Sequence, residues 1–179
     1  IGLALLMTDM VPKTLIVGIA AAPLLYPGMI ARKIEKRIKE LNDWYPEFIH
    51  HFGEIYATIG SIGSTLEAVL RSDFGPLQGH VERFKNRIKH RVDQKISFEL
   101  FSRDTGSQII ANGNEVISYA MDKGGDMGLA GNHVSDITVK INELRAKRAQ
   151  TSKTFETIII VLHALTMAVF GLMNKLTAI

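Results

Sequence analysis

MGLAGNHVSDITVKINELRAKRAQTSKTFETIIIVLHALTMAVFGLMNK, residues 127–175, decides how this chain is built. Its first half sets Val134, Ile137, Ile141 and Leu144 at three- and four-residue steps, the spacing that gathers apolar side chains on one helix face. A basic collar follows, Arg145, Lys147, Arg148 and Lys153, and no Pro or Gly interrupts the stretch between Asn132 and Phe170. Past the collar the pattern changes: FETIIIVLHALTMAVFGLMN, residues 155–174, is apolar all round. Those 20 residues rise about 30 Å as a helix, the thickness of a bilayer's hydrocarbon core. One helix is expected to start in a water-exposed bundle and end in a membrane.

The distribution of charge repeats this division. Residues 1–31 hold one Lys and one Asp, and residues 154–179 one Lys and one Glu, leaving 19 Lys and Arg and 16 Asp and Glu in residues 32–153. Two apolar ends thus bracket a polar middle large enough for a compact helical core. The net charge of +3 lacks the concentrated basic footprint of a nucleic-acid binder. With no cysteine, disulfides, Cys-bound zinc and thiol catalysis are excluded. The chain opens mid-hydrophobic on Ile1 without a basic leader, and reads as a piece of a longer membrane protein.

Residues 1–8 read as the end of a preceding transmembrane helix, and Asp9–Lys13 as a tight polar turn. TLIVGIAAAPLLYPGMIA, residues 14–31, has no charge and suits a transmembrane helix kinked at Pro23 and Pro27. Arg32, Lys33, Lys36, Arg37 and Lys39 follow at once, so both apolar segments carry their cations toward the middle. That bias makes residues 32–153 a cytoplasmic helical domain in a multi-pass cell-membrane protein. Residues 154–175 are then a transmembrane helix continuous with the last cytoplasmic one. Within the middle, Pro46 reads as a helix start, with Phe48, Phe52, Ile55 and Ile59 as its stripe down to Gly60. Ser64-Thr65-Leu66-Glu67 has the capping-box pattern. Leu77, Val81, Phe84, Ile88 and Val92 make the next stripe, which Ile96 and Leu100 continue to about Arg103. Asp104-Thr105-Gly106-Ser107 breaks the helix; Ile109, Ile110, Val116, Ile117 and Met121 follow, ended by Gly124-Gly125. The expected fold is all-α: an antiparallel cytoplasmic bundle of about six helices flanked by transmembrane helices.

No candidate chemistry emerges from this frame. His50 and His51 are adjacent and diverge by about 100° on a helix; His80, His90, His133 and His163 are scattered, and no H-x-x-x-H spacing occurs. We expect no metal, cofactor or catalytic site, and assign His163 to helix packing. Lys123-Gly124-Gly125-Asp126 lacks the order of a phosphate loop and reads as one helix's end and the next one's start. Arg83, Lys85, Arg87, Lys89 and Arg91 are the best contact surface, a basic helix side for an acidic partner or anionic lipid.

YPEFIHHFGEIYATIGSIGSTLEAVL, SDFGPL, FSRDTGS and a Gly-Gly turn before a long helix come in an order that resembles the type II secretion system F family. The similarity is to its archaellum (archaeal flagellum) platform members, in their second cytoplasmic domain, over roughly residues 41–172. Its motif positions here are Pro46, Phe48, Asp73, Phe74, Gly75, Pro76, Leu77, Asp104, Thr105, Gly106, Ser107, Gly124 and Gly125. Where the family shows a Gly-hydrophobic step after its first helix, this chain has Gly60-Ser61-Ile62-Gly63. The resemblance implies a non-enzymatic membrane platform under a type IV pilus-like filament, a homo-oligomer (dimer) engaging a hexameric secretion ATPase and pilin or archaellin subunits. On that footing Arg83 to Arg91 become the candidate ATPase-facing surface, with the Asp73–Pro76 loop as the other face. The alternatives are a membrane-anchored scaffold or signalling module, and a membrane enzyme or transporter. The last is disfavoured by the scarcity of ionisable groups in the apolar segments.

Overall fold

The computed structural model describes the backbone of residues 13–177 and the side-chain surroundings of residues 30–173 and of Leu176. The expected end of a preceding helix at residues 1–8, and residues 9–12 of the expected turn, lie outside the described residues. Six α-helices follow in order: α1 (Lys13–Ile59), α2 (Ile62–Val69), α3 (Gln78–Lys89), α4 (Gln94–Thr105), α5 (Gln108–Asp122) and α6 (Met127–Thr177), with a 3₁₀ turn at Gly75–Leu77 before α3. The fold is all-α, with no strand among the described residues.

α1 corrects the reading of Pro46 as a helix start. It is one helix of 47 residues that passes through Pro23, Pro27 and Pro46. A proline in a helix interior has no N–H to give the carbonyl four residues back, and such a site costs about 3 kcal/mol. Here the orphaned carbonyl is that of Asn42, and the missing donor comes from α6: Asn142 Nδ2 donates to Asn42 O at 2.8 Å. Pro46 itself is buried, so the stiff ring is packed rather than exposed.

α1 and α6 form the antiparallel spine of the bundle. A Cβ on Gly53 would stand 2.5 Å from the Met127 carbonyl oxygen and 3.0 Å from Gly131 Cα, and one on Gly131 would stand 2.8 Å from the Ile49 carbonyl oxygen. The two backbones therefore touch, and that contact fixes how α6 is rotated. Its buried row is Met127, Gly131, Val134 and Thr138, not the expected row through Ile137 and Leu144, which are 59% and 53% exposed. Gly113 on α5 closes the third side, where a Cβ would meet Tyr45 Oη at 2.5 Å and Val134 Cγ1 at 2.9 Å.

Phe48 anchors the core, its ring 5.7 Å from both Phe74 and Phe101, with Phe84 stacked on Phe101 at 5.2 Å and tilted on Phe98 at 4.8 Å. Burial of such rings is the largest stabilising contribution a bundle of this size has. Val116, expected to face inward, is 52% exposed, and its stripe on α5 is Ile109, Ile110, Gly113, Asn114 and Ile117. One polar chain crosses the core: Tyr45 Oη donates to Asn114 Oδ1 at 3.0 Å, and Asn114 Nδ2 to Ser102 Oγ at 2.8 Å.

Two further boundaries differ from expectation. α2 opens at Ile62, two residues before the expected capping box, with Ser61 extended ahead of it. The stripe from Leu77 does not run on to Arg103, because α3 ends at Lys89 and α4 begins at Gln94. The stop is a Schellman turn: Val92 N–H donates to Arg87 O and Arg91 N–H to Ile88 O, both at 3.0 Å. Arg91 takes the left-handed conformation (φ 59°) that glycine usually supplies, and Asp93 Oδ1 caps α4 by accepting from Ile96 N–H at 3.1 Å. The break re-phases α4, so that Ser97, Phe98, Phe101 and Thr105 are buried while Ile96 is 51% exposed.

Replacing Asn142 by Ala should lower stability by about 1–3 kcal/mol, the cost of an unsatisfied buried carbonyl. Pro46→Ala restores the missing N–H, so the Asn142→Ala penalty should shrink in that background. Denaturant unfolding of the four proteins of this cycle, if additive, would refute the Asn142–Pro46 coupling. Gly131→Ala should separate α1 from α6 and lower stability by about 1–3 kcal/mol, the scale of overpacking a tight contact.

Candidate functional site

The five basic residues expected to form one surface are divided by helix geometry. Alternate residues on a helix lie about 200° apart, so a run at every second position faces both sides. Val81 and Phe84 turn inward and set the phase of α3. Arg83 and Arg87, one turn apart, converge on Asp104 at the end of α4: Arg87 Nη2 donates to Asp104 Oδ2 at 2.7 Å and Arg83 Nε at 3.4 Å. Lys85 and Lys89 form a separate row, half-buried and exposed respectively, and Arg91 stands at the corner beyond the helix. Lys85, Lys89 and Arg91 make no ion pair among the described residues.

The Asp104 pair extends inward to His80. Arg83 Nη2 lies 2.9 Å from His80 Nδ1; a guanidinium has no acceptor, so it donates, and the imidazole carries its proton on Nε2. Burial, then the positive charge of Arg83, lowers the His80 pKa; Arg37 on α1 and Arg87 add to the effect, and Asp104 opposes it. Burial would raise Asp104, yet the hydrogen bonds and charges of Arg87 and Arg83 outweigh it and hold the carboxyl below its usual range. Arg87 Nη1 is buried without a partner among the described residues.

The motif residues that carry the family resemblance form the corners of the bundle. Phe74 is buried against Phe48, Gly75 takes φ 53° with its Cα face on the Trp44 indole, and Asp73 Oδ1 accepts from Gly75 N–H at 2.9 Å. Pro76 starts the 3₁₀ turn and Leu77 is buried. In the second corner Thr105 Oγ1 donates to Ser102 O at 2.8 Å, Gly106 takes φ 64°, and Ser107 caps α5 by accepting from Ile110 N–H. Ser107 Oγ also donates to Asn42 Oδ1, tying that corner to the segment of α1 that Asn142 holds. Gly124 (φ 67°) closes a Schellman turn with Gly125 N–H on Ala120 O at 2.7 Å. Pro46 and Phe48 lie on the buried face of α1.

Two clefts had no counterpart in the sequence reading. One, of about 780 Å³ between α4 and α5, is acidic, with Asp93, Glu99, Glu115 and Asp122 against Lys95. The other, of about 390 Å³, lies between α1 and α6 and is lined by Arg32, Lys36, Lys39 and Arg145 among others. Small residues at Ala146 and Ala149 open it, which is its signal in sequence. His50 pairs with Asn132 and, at 3.5 Å, with Glu54; His163 Nδ1 is 3.2 Å from the Ile159 carbonyl of its own helix. No three His, Asp or Glu side chains gather as a metal site among the described residues.

The chain is similar to proteins named Flagella accessory protein J. It is 30% identical over 145 residues to that of Methanocaldococcus jannaschii, covering 80% of this chain and 26% of the relative. To that of Methanococcus voltae it is 28% identical over 148 residues, 81% of this chain and 26% of the relative. The chain thus spans about a quarter of the length of the curated relatives it matches. No family model matches it, and no solved structure does. Residues 32–153 are about two thirds of the chain, so a similarity over 80% extends into at least one apolar segment.

The His80–Arg83–Asp104 arrangement makes stability depend on pH in a defined direction. A histidine whose pKa is lowered by folding leaves the unfolded chain to bind the extra proton. Stability should therefore be full near pH 7.5, fall as pH drops below the ordinary histidine value of about 6.5, and fall again once Asp104 is protonated. Urea unfolding at pH 7.5 and 5.5 should show the first loss in the wild type and a smaller one in His80→Asn. An equal loss in both would remove His80 as its source.

Proposed function

We propose that this chain is the membrane-anchored helical part of an archaellum assembly platform, a non-enzymatic protein that couples a cytoplasmic secretion ATPase to filament assembly or rotation. The observation that carries this reading is the 30% identity to a Flagella accessory protein J over a stretch longer than the polar bundle. The order of the DFGPL and DTGS corners, which resembles the type II secretion system F family, supports it.

α6 supports the membrane half of the reading. It is 51 residues long, and its most apolar 18-residue window has a mean hydropathy of 2.0 with none of it buried. Within residues 30–173 it is the one helix long and apolar enough to cross a membrane. Residues 14–31 supply the second crossing in this reading, and the cations at Arg32–Lys39 and Arg145–Lys153 put residues 32–153 on the cytoplasmic side. At 1.5 Å per residue α6 is about 75 Å long, with no Pro or Gly between Asn132 and Phe170. Movement imposed on the bundle would be carried along it as a rigid body. The proposed partners are a hexameric secretion ATPase, pilin or archaellin subunits, membrane lipid and a second copy in a dimer.

The ATPase-facing surface is tested on Lys85 and Lys89, because Arg83 and Arg87 are already engaged with Asp104. The chain in lipid nanodiscs should bind one secretion ATPase of the same cell, more weakly at physiological than at low salt. Lys85→Glu with Lys89→Glu should weaken that binding about tenfold or more at low salt, two charge reversals of roughly 1 kcal/mol each. Unchanged binding would exclude this face. Failure of every such ATPase to bind the folded chain would overturn the platform reading in favour of a membrane-anchored scaffold.

A further inference from the structure

The cleft between α1 and α6 is placed where a lipid could enter it. Its lining runs from Asp43 back to Arg32 on α1 and from Asn142 forward to Ala149 on α6, so it opens at the end of the bundle next to the two apolar segments. The apolar segment proposed on α6 begins at residue 154, five positions or about 7.5 Å of helix past Ala149, and Arg32 directly follows the one proposed on α1. A bilayer's polar layer on each side is about 5–8 Å thick, so this end of the cleft lies at headgroup depth in the membrane reading, on which the inference rests. The cleft's 390 Å³ is within the usual size of small-ligand sites.

Charge defines what would fill it. Arg32, Lys39 and Arg145 make no ion pair among the described residues, and Lys36 is only 3.9 Å from Glu40. Two carboxylates, Glu35 and Asp43, also line the cleft, leaving an excess of two positive charges over them. Cations in excess over the carboxylates beside them attract an anion with several acceptor oxygens, and a guanidinium pairs with phosphate in a bidentate way. The carboxylates add acceptors for hydroxyl groups on the same ligand. Ile38, Ala146 and Ala149 give the cleft an apolar wall, and on α1 the apolar segment, with exposed Ile30, reaches Ala31 directly beside Arg32.

We propose that this cleft binds the phosphodiester headgroup of an anionic membrane lipid bearing hydroxyls, with Arg32, Lys39 and Arg145 on the phosphate. The occupant is a lipid rather than a soluble anion because the cleft is flanked by apolar surface on the side where the chains of a lipid would lie.

The test titrates the detergent-solubilised chain with phosphatidylglycerol or phosphatidylcholine and counts bound lipid by native mass spectrometry. Phosphatidylglycerol should be retained about tenfold better, and Arg32→Gln, Lys39→Gln and Arg145→Gln together should abolish the preference. Lys33→Gln, Lys147→Gln and Lys153→Gln remove as much charge outside the cleft and should leave it intact. Ala146→Leu with Ala149→Leu keeps every charge but fills the cleft, and should also abolish it. Equal loss in the two charge variants, or no preference in the wild type, would overturn the site. Displacement by millimolar glycerol phosphate would overturn the lipid as its occupant. Release of the chain from vesicles by alkaline carbonate would instead overturn the membrane reading itself.

Discussion

A single hydrogen bond lets α1 run through the bundle as one piece. Pro46 deprives the Asn42 carbonyl of its intrahelical donor, and Asn142 replaces that donor from 100 residues away. Without it α1 would be expected to kink where the core begins, and Leu41 and Tyr45 would lose their registry with Phe48 and Phe52. The same bond pins α6 in its antiparallel position. The Gly53–Gly131 contact then fixes its rotation, since neither backbone can approach so closely over a side chain. Sheet-free bundles are usually described by their apolar stripes. Here a polar contact and two missing methyl groups determine which stripe faces inward.

The polar residues inside the bundle follow the same logic. Asn42 is held on both its groups: its carbonyl by Asn142 and its side chain by Ser107. Ser107 is also the cap of α5, so the end of one helix and the proline site of another are satisfied together. Tyr45, Asn114 and Ser102 form a second chain, with Ser102 Oγ passed on to Phe98 O at 2.9 Å. Burial pushes the Tyr45 phenol up, so it stays a neutral donor. Connected in this way, buried polar groups specify one arrangement of helices where leucines alone would permit several.

How much of this was legible in the sequence depended on whether the signal was local. The DTGS and Gly-Gly turns are legible because Gly106 and Gly124 advertise the left-handed backbone that their helix ends require. The stop after Lys89 carries no such signal, because Arg91 occupies the same position in the same Schellman turn, and an arginine there looks like one more cation in a run. Pro46 looks like a helix start in sequence because its compensating donor lies in the last helix. Ile137 and Leu144 obeyed the helical period yet face outward, because period fixes a face without saying which neighbour it meets. The basic surface divided for an equally simple reason: Asp104, which claims Arg83 and Arg87, is contributed by a different helix.

The spine also bears on how force would pass through the proposed platform. α1 and α6 both run from the bundle into apolar segments, and they are joined at Gly53–Gly131 and at Asn42–Asn142. Beyond Asn142 the side chains of α6 are exposed through residue 173. A load applied to the bundle would therefore reach the apolar segments through two stiff helices that are locked together at one end only. The basic cleft lies beyond those joints, with Arg32, Lys36 and Lys39 on α1 and Arg145 on α6, an excess of positive charge that favours a wider separation there. An anionic headgroup bound there would screen that repulsion and draw the helices together, making lipid occupancy a determinant of how stiffly motion is passed on. Such coupling requires only that the ligand bind the closed separation better than the open one.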